Sequence, residues 1–154
     1  MELSALLKPE AIRVNTASSS KKRLMHDVAD LAQAAYGIEA SSAVEALLER
    51  ESLGPTGVGH GVALPHARIS GIESVVGVFL LLEKPIDFDS VDRQPVDLVF
   101  GLFAPEDAGV EHLKALARVS RLLRDTGVCT KLRANREPAT LFTILTEDEA
   151  MKAA

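Results

Sequence analysis

Apolar positions along the chain repeat with a helical period in some stretches and run on without a break in others. Leu24, Val28, Leu31 and Ala35 recur at i, i+4, i+7 and i+11, which puts them on one face of a helix. Ser18-Ser19-Ser20 precedes this segment as an N-cap, and Gly37 follows it as a stop. His26 falls on the opposite, solvent face of the same helix. A second helix is predicted from Ser41 or Ser42 to about Arg50-Glu51, with Glu45 completing a capping box and Val44, Leu47 and Leu48 buried. Residues 75–82 and 96–103 are continuous apolar runs, the pattern of strands buried on both faces of a sheet. Pro85 and Pro105 punctuate their ends. Residues 62–64 read as a short strand closed by Pro65-His66, and residues 12–14 as an added edge strand. From about Gly109 to Arg124 the helical period returns. Val110, Leu113, Leu116, Ala117, Ser120 and Leu123 form the expected inward arc, with His112 at its border. Shorter helices are expected near 127–134 and 137–146. The sum is an α/β fold, a small sheet flanked by helices on both faces.

The length of 154 residues suits a single domain spanning 1–154, large enough to bury a core without covalent staples. A formal net charge of −5 argues against a general nucleic-acid binder, which needs a basic surface. Cys129 is the only cysteine, so no internal disulfide and no cysteine-based zinc site is available. It reads as a small buried hydrophobe. The apolar run at 75–82 is far shorter than the ~20 residues of a membrane helix, and Glu2 stands where a signal peptide carries positive charge. A cytoplasmic protein without membrane insertion is expected.

The chemistry concentrates in residues 54–68. Gly-Pro-Thr-Gly-Val-Gly-His-Gly at 54–61 is too rich in glycine for a helix or an ordinary strand interior. Its backbone N–H groups are free to converge on an anion. No Gly-Lys-Ser/Thr follows, so it is not a nucleotide-binding P-loop. Pro65 fixes its own φ and restricts Leu64, so the side chain of His66 is aimed rather than loose. A neutral imidazole has one nitrogen to be oriented by a hydrogen bond and one free to attack, which suits His66 to accept a phosphoryl group. On these residues alone, a structural turn histidine is an equal reading.

Further residues fit the same picture: Arg50-Glu51, Thr56-Gly57-Val58-Gly59, Gly61-Val62-Ala63-Leu64-Pro65-His66, Gln94-Pro95-Val96-Asp97-Leu98-Val99-Phe100, and Glu111-His112-Leu113 with Leu116. Together they resemble the IIA proteins of the fructose–mannitol type from the phosphoenolpyruvate-dependent phosphotransferase system, and among these the stand-alone nitrogen-regulatory branch. The resemblance implies a mixed sheet of about five strands. It implies that His66 is the phosphoacceptor, through Nε2, for a small HPr-like phosphocarrier protein. It makes His112 a second histidine that orients or hydrogen-bonds, and Arg50 a stabiliser of the phosphoryl group. It calls for no cofactor, metal or nucleic acid, and for a histidine phosphocarrier whose phosphorylation state regulates protein targets rather than a turnover enzyme. Two positions depart from the family pattern: Ala67 stands where Gly is usual, and His60 where the nitrogen-regulatory branch often carries Asn. Arg68 is a candidate for docking an acidic partner, and His60 for a loop donor. The alternatives are a IIA component serving a fructose or mannitol transporter, a non-phosphorylated binding module, and a zinc hydrolase built on His60, His66 and His112. The last is disfavoured because no His-Glu-x-x-His pair exists.

Overall fold

The computed structural model describes residues 2–153, with side chains through Glu147. A short helix, α1 (Leu3–Leu6), and a 3₁₀ turn lead into strand β1 (Ile12–Thr16). Helices α2 (Lys21–Tyr36) and α3 (Ala40–Ser52) follow, then four strands: β2 (Gly57–Gly59), β3 (Val62–Ala63), β4 (His66–Ile69) and the long β5 (Val76–Ile86). Strand β6 (Val96–Pro105) precedes α4 (Val110–Leu123), α5 (Thr126–Arg133) and α6 (Pro138–Ala153).

The strands form one mixed sheet in the order β1-β5-β6-β3-β2, with β4 also paired to β6. β5 and β6 are antiparallel; β1 runs parallel to β5, and both β3 and β4 run parallel to β6. β3 faces Leu98 and Val99, and β4 faces residues 102 to 105 farther along the same edge of β6. The two short strands are therefore one line of chain interrupted at Leu64-Pro65. Counted that way the sheet has five lines, as expected; counted by elements it has six. Proline causes the break, because it has no N–H for the ladder. The Pro65 carbonyl still accepts from the Leu102 N–H at 3.0 Å, which keeps the chain against β6.

Residues 78–82 in β5 and nearly all of β6 are buried in succession. Neighbouring strand residues point to opposite faces, so both faces of the sheet must be covered. The helices supply this cover in two groups, α2 packed with α3, and α1 and α4 to α6 with one another. Phe79, Phe100, Phe103, Leu80 and Leu98 are among the largest fully buried side chains.

The expected α2 forms as read. The Ser20 hydroxyl accepts from the Arg23 N–H at 3.1 Å, and Gly37 closes the helix at φ 73°. His26, expected on the wet face, is half-buried. The capping box at α3 does not form. Glu39 occupies the N-cap position without a side-chain bond to the helix backbone, and its carboxylate accepts from the Ser41 and Ser42 hydroxyls at 2.8 and 2.9 Å. Those bonds, Ser41 first, hold the Glu39 carboxyl below its usual range. Glu45 is exposed. Cys129 is buried, as expected, and burial pushes its thiol up.

The phase of α4 differs from the sequence reading. Its buried face is His112, Ala115, Val119, Leu122 and Leu123, whereas Val110 and Leu113 are 61% and 65% exposed. Apolar residues occupy two adjoining stripes of this helix, one on the core and one on the surface. The sequence pattern merges them into a single arc centred too far outward. His112, placed at the border by that arc, lies inside the buried face at 6% exposure.

Candidate functional site

His66 opens β4, directly after the Leu64-Pro65 break. It does not close a strand, as the sequence reading had it; it begins one. Its Nδ1 lies 2.8 Å from the Leu64 carbonyl oxygen. A carbonyl only accepts, so Nδ1 carries the proton and Nε2 keeps its lone pair. The side chain is half-buried. Burial pushes its pKa below the ordinary 6.5, the Arg50 charge pushes the same way, and the Leu64 hydrogen bond and Glu51 push back. The lowered pKa favours the neutral ring at physiological pH, with the Nε2 lone pair free.

His112 reaches His66 from α4, edge to face, with ring centroids 5.4 Å apart and planes at 78°. Arg68, two residues along β4, donates from Nε to His112 Nδ1 at 3.4 Å. Guanidinium cannot accept, so Nδ1 of His112 is the acceptor and its proton sits on Nε2. That buried N–H has no partner among the described residues. Burial lowers the pKa of His112, and the neighbouring His66 and Arg68 lower it further, so this ring too is neutral.

Arg50 sits in the last turn of α3, where a cation suits the helix dipole. One guanidinium arm donates to the Gly54 carbonyl at 3.0 Å. Arg50 and His66 line the same open concavity of about 350 Å³, together with Thr56, Leu64, Leu116 and Ser120. Glu51 beside it is 7% exposed in its side chain. Its carboxylate accepts from the Thr56 N–H at 2.8 Å and the Thr56 hydroxyl at 2.6 Å, and pairs with Lys21 at 2.7 Å. The loop at 54–56 is thus tied from one side by Arg50 and from the other by Glu51.

The glycine-rich segment forms β2, a short irregular pairing with β3. His60 takes φ 57°, a left-handed conformation that Asn and His adopt more readily than most residues. Its backbone N–H donates to the Asp92 carboxylate at 2.9 Å, and its carbonyl accepts from Arg133 at 2.9 Å. Its side chain lines a smaller hollow next to the concavity, with Arg124 and Leu123. Ala67 lies in regular strand opposite Phe103, without a positive φ, so its Cβ meets no conformational penalty. Among the described residues no three His, Cys, Asp or Glu side chains gather closely enough to hold a metal ion. His60, His66 and His112 do not converge in the way the zinc reading requires.

The structure therefore brings together His66 and His112 by ring contact, and His66 and Arg50 around one concavity. Arg68, expected as a docking cation, contacts His112. Glu51 and Thr56 belong to the motifs that carry the family resemblance, but the sequence assigns them no role at the site, and nothing in it indicates that the Glu51 carboxylate turns back onto Thr56.

The family model for the phosphoenolpyruvate-dependent sugar phosphotransferase system, EIIA 2, matches residues 5–148. The chain is 47% identical over 145 residues to a nitrogen regulatory protein of Bradyrhizobium diazoefficiens, covering 94% of this chain and 95% of that protein. It is 39% identical over 150 residues to the nitrogen regulatory protein of Escherichia coli, covering 97% and 92%. It superposes on the crystal structure of nitrogen regulatory protein IIA-Ntr from Neisseria meningitidis with a TM-score of 0.87, at 32% identity and over 94% of this chain and 99% of that one. On this evidence of sequence and fold together, the chain belongs to the EIIA 2 family of the phosphoenolpyruvate-dependent sugar phosphotransferase system.

Proposed function

We propose that this chain is a phosphorelay regulator. His66 accepts a phosphoryl group from an HPr-like carrier protein in the cytoplasm, and the charge it gains alters binding to protein targets. The observation that carries the reading is the Nδ1–H bond from His66 to the Leu64 carbonyl, which leaves Nε2 as the free nucleophile in an open concavity shared with Arg50. In the transfer, Nε2 forms a bond to phosphorus as the N–P bond of the carrier's phosphohistidine breaks. The bonding pair stays on the departing imidazole nitrogen. The Nδ1 proton stays on the ring and is donated to the Leu64 carbonyl, which supports the positive charge that develops on the imidazole. Arg50 offers its remaining donors to the phosphoryl oxygens, and His112 packs edge to face against the acceptor ring and holds its orientation. Val58, 45% exposed, lines the concavity and gives a carrier an apolar contact there. The relatives named nitrogen regulatory proteins are 47% and 39% identical to this chain, against 31% for a relative named as a fructose-specific EIIA component, which favours regulation over sugar transport as the output.

Incubation with the phosphoenolpyruvate-driven donor system tests the reading, with acid-labile phosphate as the readout. Replacing Arg50 by alanine is expected to slow transfer about a hundredfold, the order of magnitude of removing one preorganised donor from a developing oxyanion. Arg50→Lys should recover part of this rate, because it restores charge without the planar fork. Unchanged initial rates in Arg50→Ala would remove Arg50 from the mechanism.

The pH dependence follows from the depressed pKa of His66. Acceptance needs the unprotonated ring, so the rate stays level as pH falls through the ordinary imidazole range around 6.5. It declines only at lower pH, where His66 itself protonates. NMR titration of the ring checks this; a midpoint at or above 6.5 contradicts the geometry.

A further inference from the structure

A line of hydrogen bonds runs from outside the concavity to the nucleophile. Lys21 Nζ, at the start of α2, lies 2.7 Å from Glu51 Oε1 and over the face of Phe88 at 4.7 Å. The Glu51 carboxylate accepts both donors of Thr56, at 2.8 and 2.6 Å. The Thr56 carbonyl accepts from the Leu64 N–H at 2.9 Å. The Leu64 carbonyl accepts from His66 Nδ1 at 2.8 Å. Glu51 and Thr56 are buried on this path, at 7% side-chain exposure and 4% residue exposure. A carboxylate in that setting costs free energy unless it is fully bonded, and all its partners belong to this line.

We propose that Glu51 is a positioning residue for phosphoryl acceptance: held by Lys21, it fixes Thr56, which fixes Leu64, whose carbonyl selects the tautomer of His66. The proposal rests on His66 being the acceptor but makes a separate claim about how its ring is held. The Leu64 carbonyl belongs to the peptide that precedes Pro65, and Pro65 has no N–H of its own to anchor it. The Thr56 contact with the Leu64 N–H therefore supplies the anchor that the strand loses at the break. When Glu51 lets go of Thr56, the 54–56 loop is still held at Gly54, by Arg50 and by the Glu51 backbone carbonyl, but Thr56 is not, and Leu64 loses a fixed partner on its amide. The His66 ring then samples both tautomers, and Nε2 spends part of its time protonated and unable to attack. Glu51 also bears on His66 through its charge, which favours the protonated ring.

The test uses the full chain and reads two quantities. The first is the ¹⁵N NMR tautomer state of His66, and the second is the initial rate of phosphorylation by the donor system. In the parent protein His66 is in the Nδ1–H form. Glu51→Ala is expected to give mixed tautomers and a rate lower by about tenfold, the scale of a small misplacement of a reacting group. Glu51→Gln can still accept from the Thr56 N–H, so it should keep the Nδ1–H form and most of the rate while its His66 titrates at lower pH. Thr56→Val removes only the hydroxyl bond and serves if Glu51→Ala does not fold; it should move both readouts in the same direction by a smaller amount. A pure Nδ1–H tautomer in folded Glu51→Ala, or in Thr56→Val should Glu51→Ala not fold, overturns the proposal. Should the parent protein take up no phosphate, the phosphorelay reading fails, while the tautomer measurement still decides whether Glu51 positions the ring.

Discussion

His66→Ala is expected to abolish phosphoryl acceptance altogether while leaving the fold intact. The loss should be complete because no other described histidine offers an equivalent nucleophile at the concavity. His112 holds its proton on Nε2 and its Nδ1 is engaged by Arg68. His60 lines the neighbouring hollow rather than the concavity that Arg50 shares. The fold should survive because His66 is half-buried, makes one side-chain hydrogen bond, and opens a strand whose pairing with Leu102 is made by the backbone. Thermal unfolding within a few degrees of the parent, together with no acid-labile phosphate, is the expected pair of results. Labelling of His66→Ala at the parental rate would reject the assignment.

Gly61→Val is expected to lower the melting temperature by roughly 4–20 °C, from a cost of about 2–5 kcal/mol spread over a chain of this size. Two causes add. Gly61 has φ 78°, where a β-branched residue is strained by roughly 1–2 kcal/mol. A Cβ there would also stand 2.5 Å from the Arg133 guanidinium and 3.0 Å from the Asp97 carboxylate, an overpacking worth roughly 1–3 kcal/mol. These two side chains form a clamp: Arg133 Nε and its terminal nitrogen donate to Asp97 at 2.9–3.1 Å, and the same terminal nitrogen donates to the His60 carbonyl. The clamp fastens α5 to the start of β6 and to the bend before β3. Gly71 provides the comparison, since it has φ 86° with open space where a Cβ would go. Gly71→Val should show the conformational cost alone and a smaller drop by differential scanning calorimetry. Equal drops in the two variants would mean that the clamp contributes nothing.

Much of the fold was legible where one periodicity had one cause. Helix α2 has its apolar stripe, Ser20 cap and Gly37 stop in register, and it forms between those residues. The continuous runs around Phe79 and Phe100 form the buried central pair because strands covered on both faces need no polar alternation. Helix α4 was misphased for the opposite reason. Leu113 and Val110 are apolar on the surface, His112 is polar in the core, and a hydrophobicity pattern has no means of telling an exposed apolar stripe from a buried one. Strand β4 was missed because Pro65 is a strong stop signal, and the chain resumes pairing with the same neighbour one residue later. At the site, His66 stood out from its own surroundings, as a histidine fixed behind proline. His112 and Arg50 came only through the resemblance to the phosphotransferase family, since each joins the site across long stretches of sequence. The Arg68 contact to His112 and the Glu51 hold on Thr56 depend on how β4 meets α4 and how α3 ends, which no local pattern encodes.

The most direct test of the account is to phosphorylate the wild-type chain with its donor system and locate the phosphorus by ³¹P and ¹⁵N NMR. The account predicts a single phosphoryl group per chain, bonded to Nε2 of His66, with Nδ1 still protonated. Phosphorus on His112, on His60 or on Nδ1 of His66, or a chain that takes up none, would contradict it.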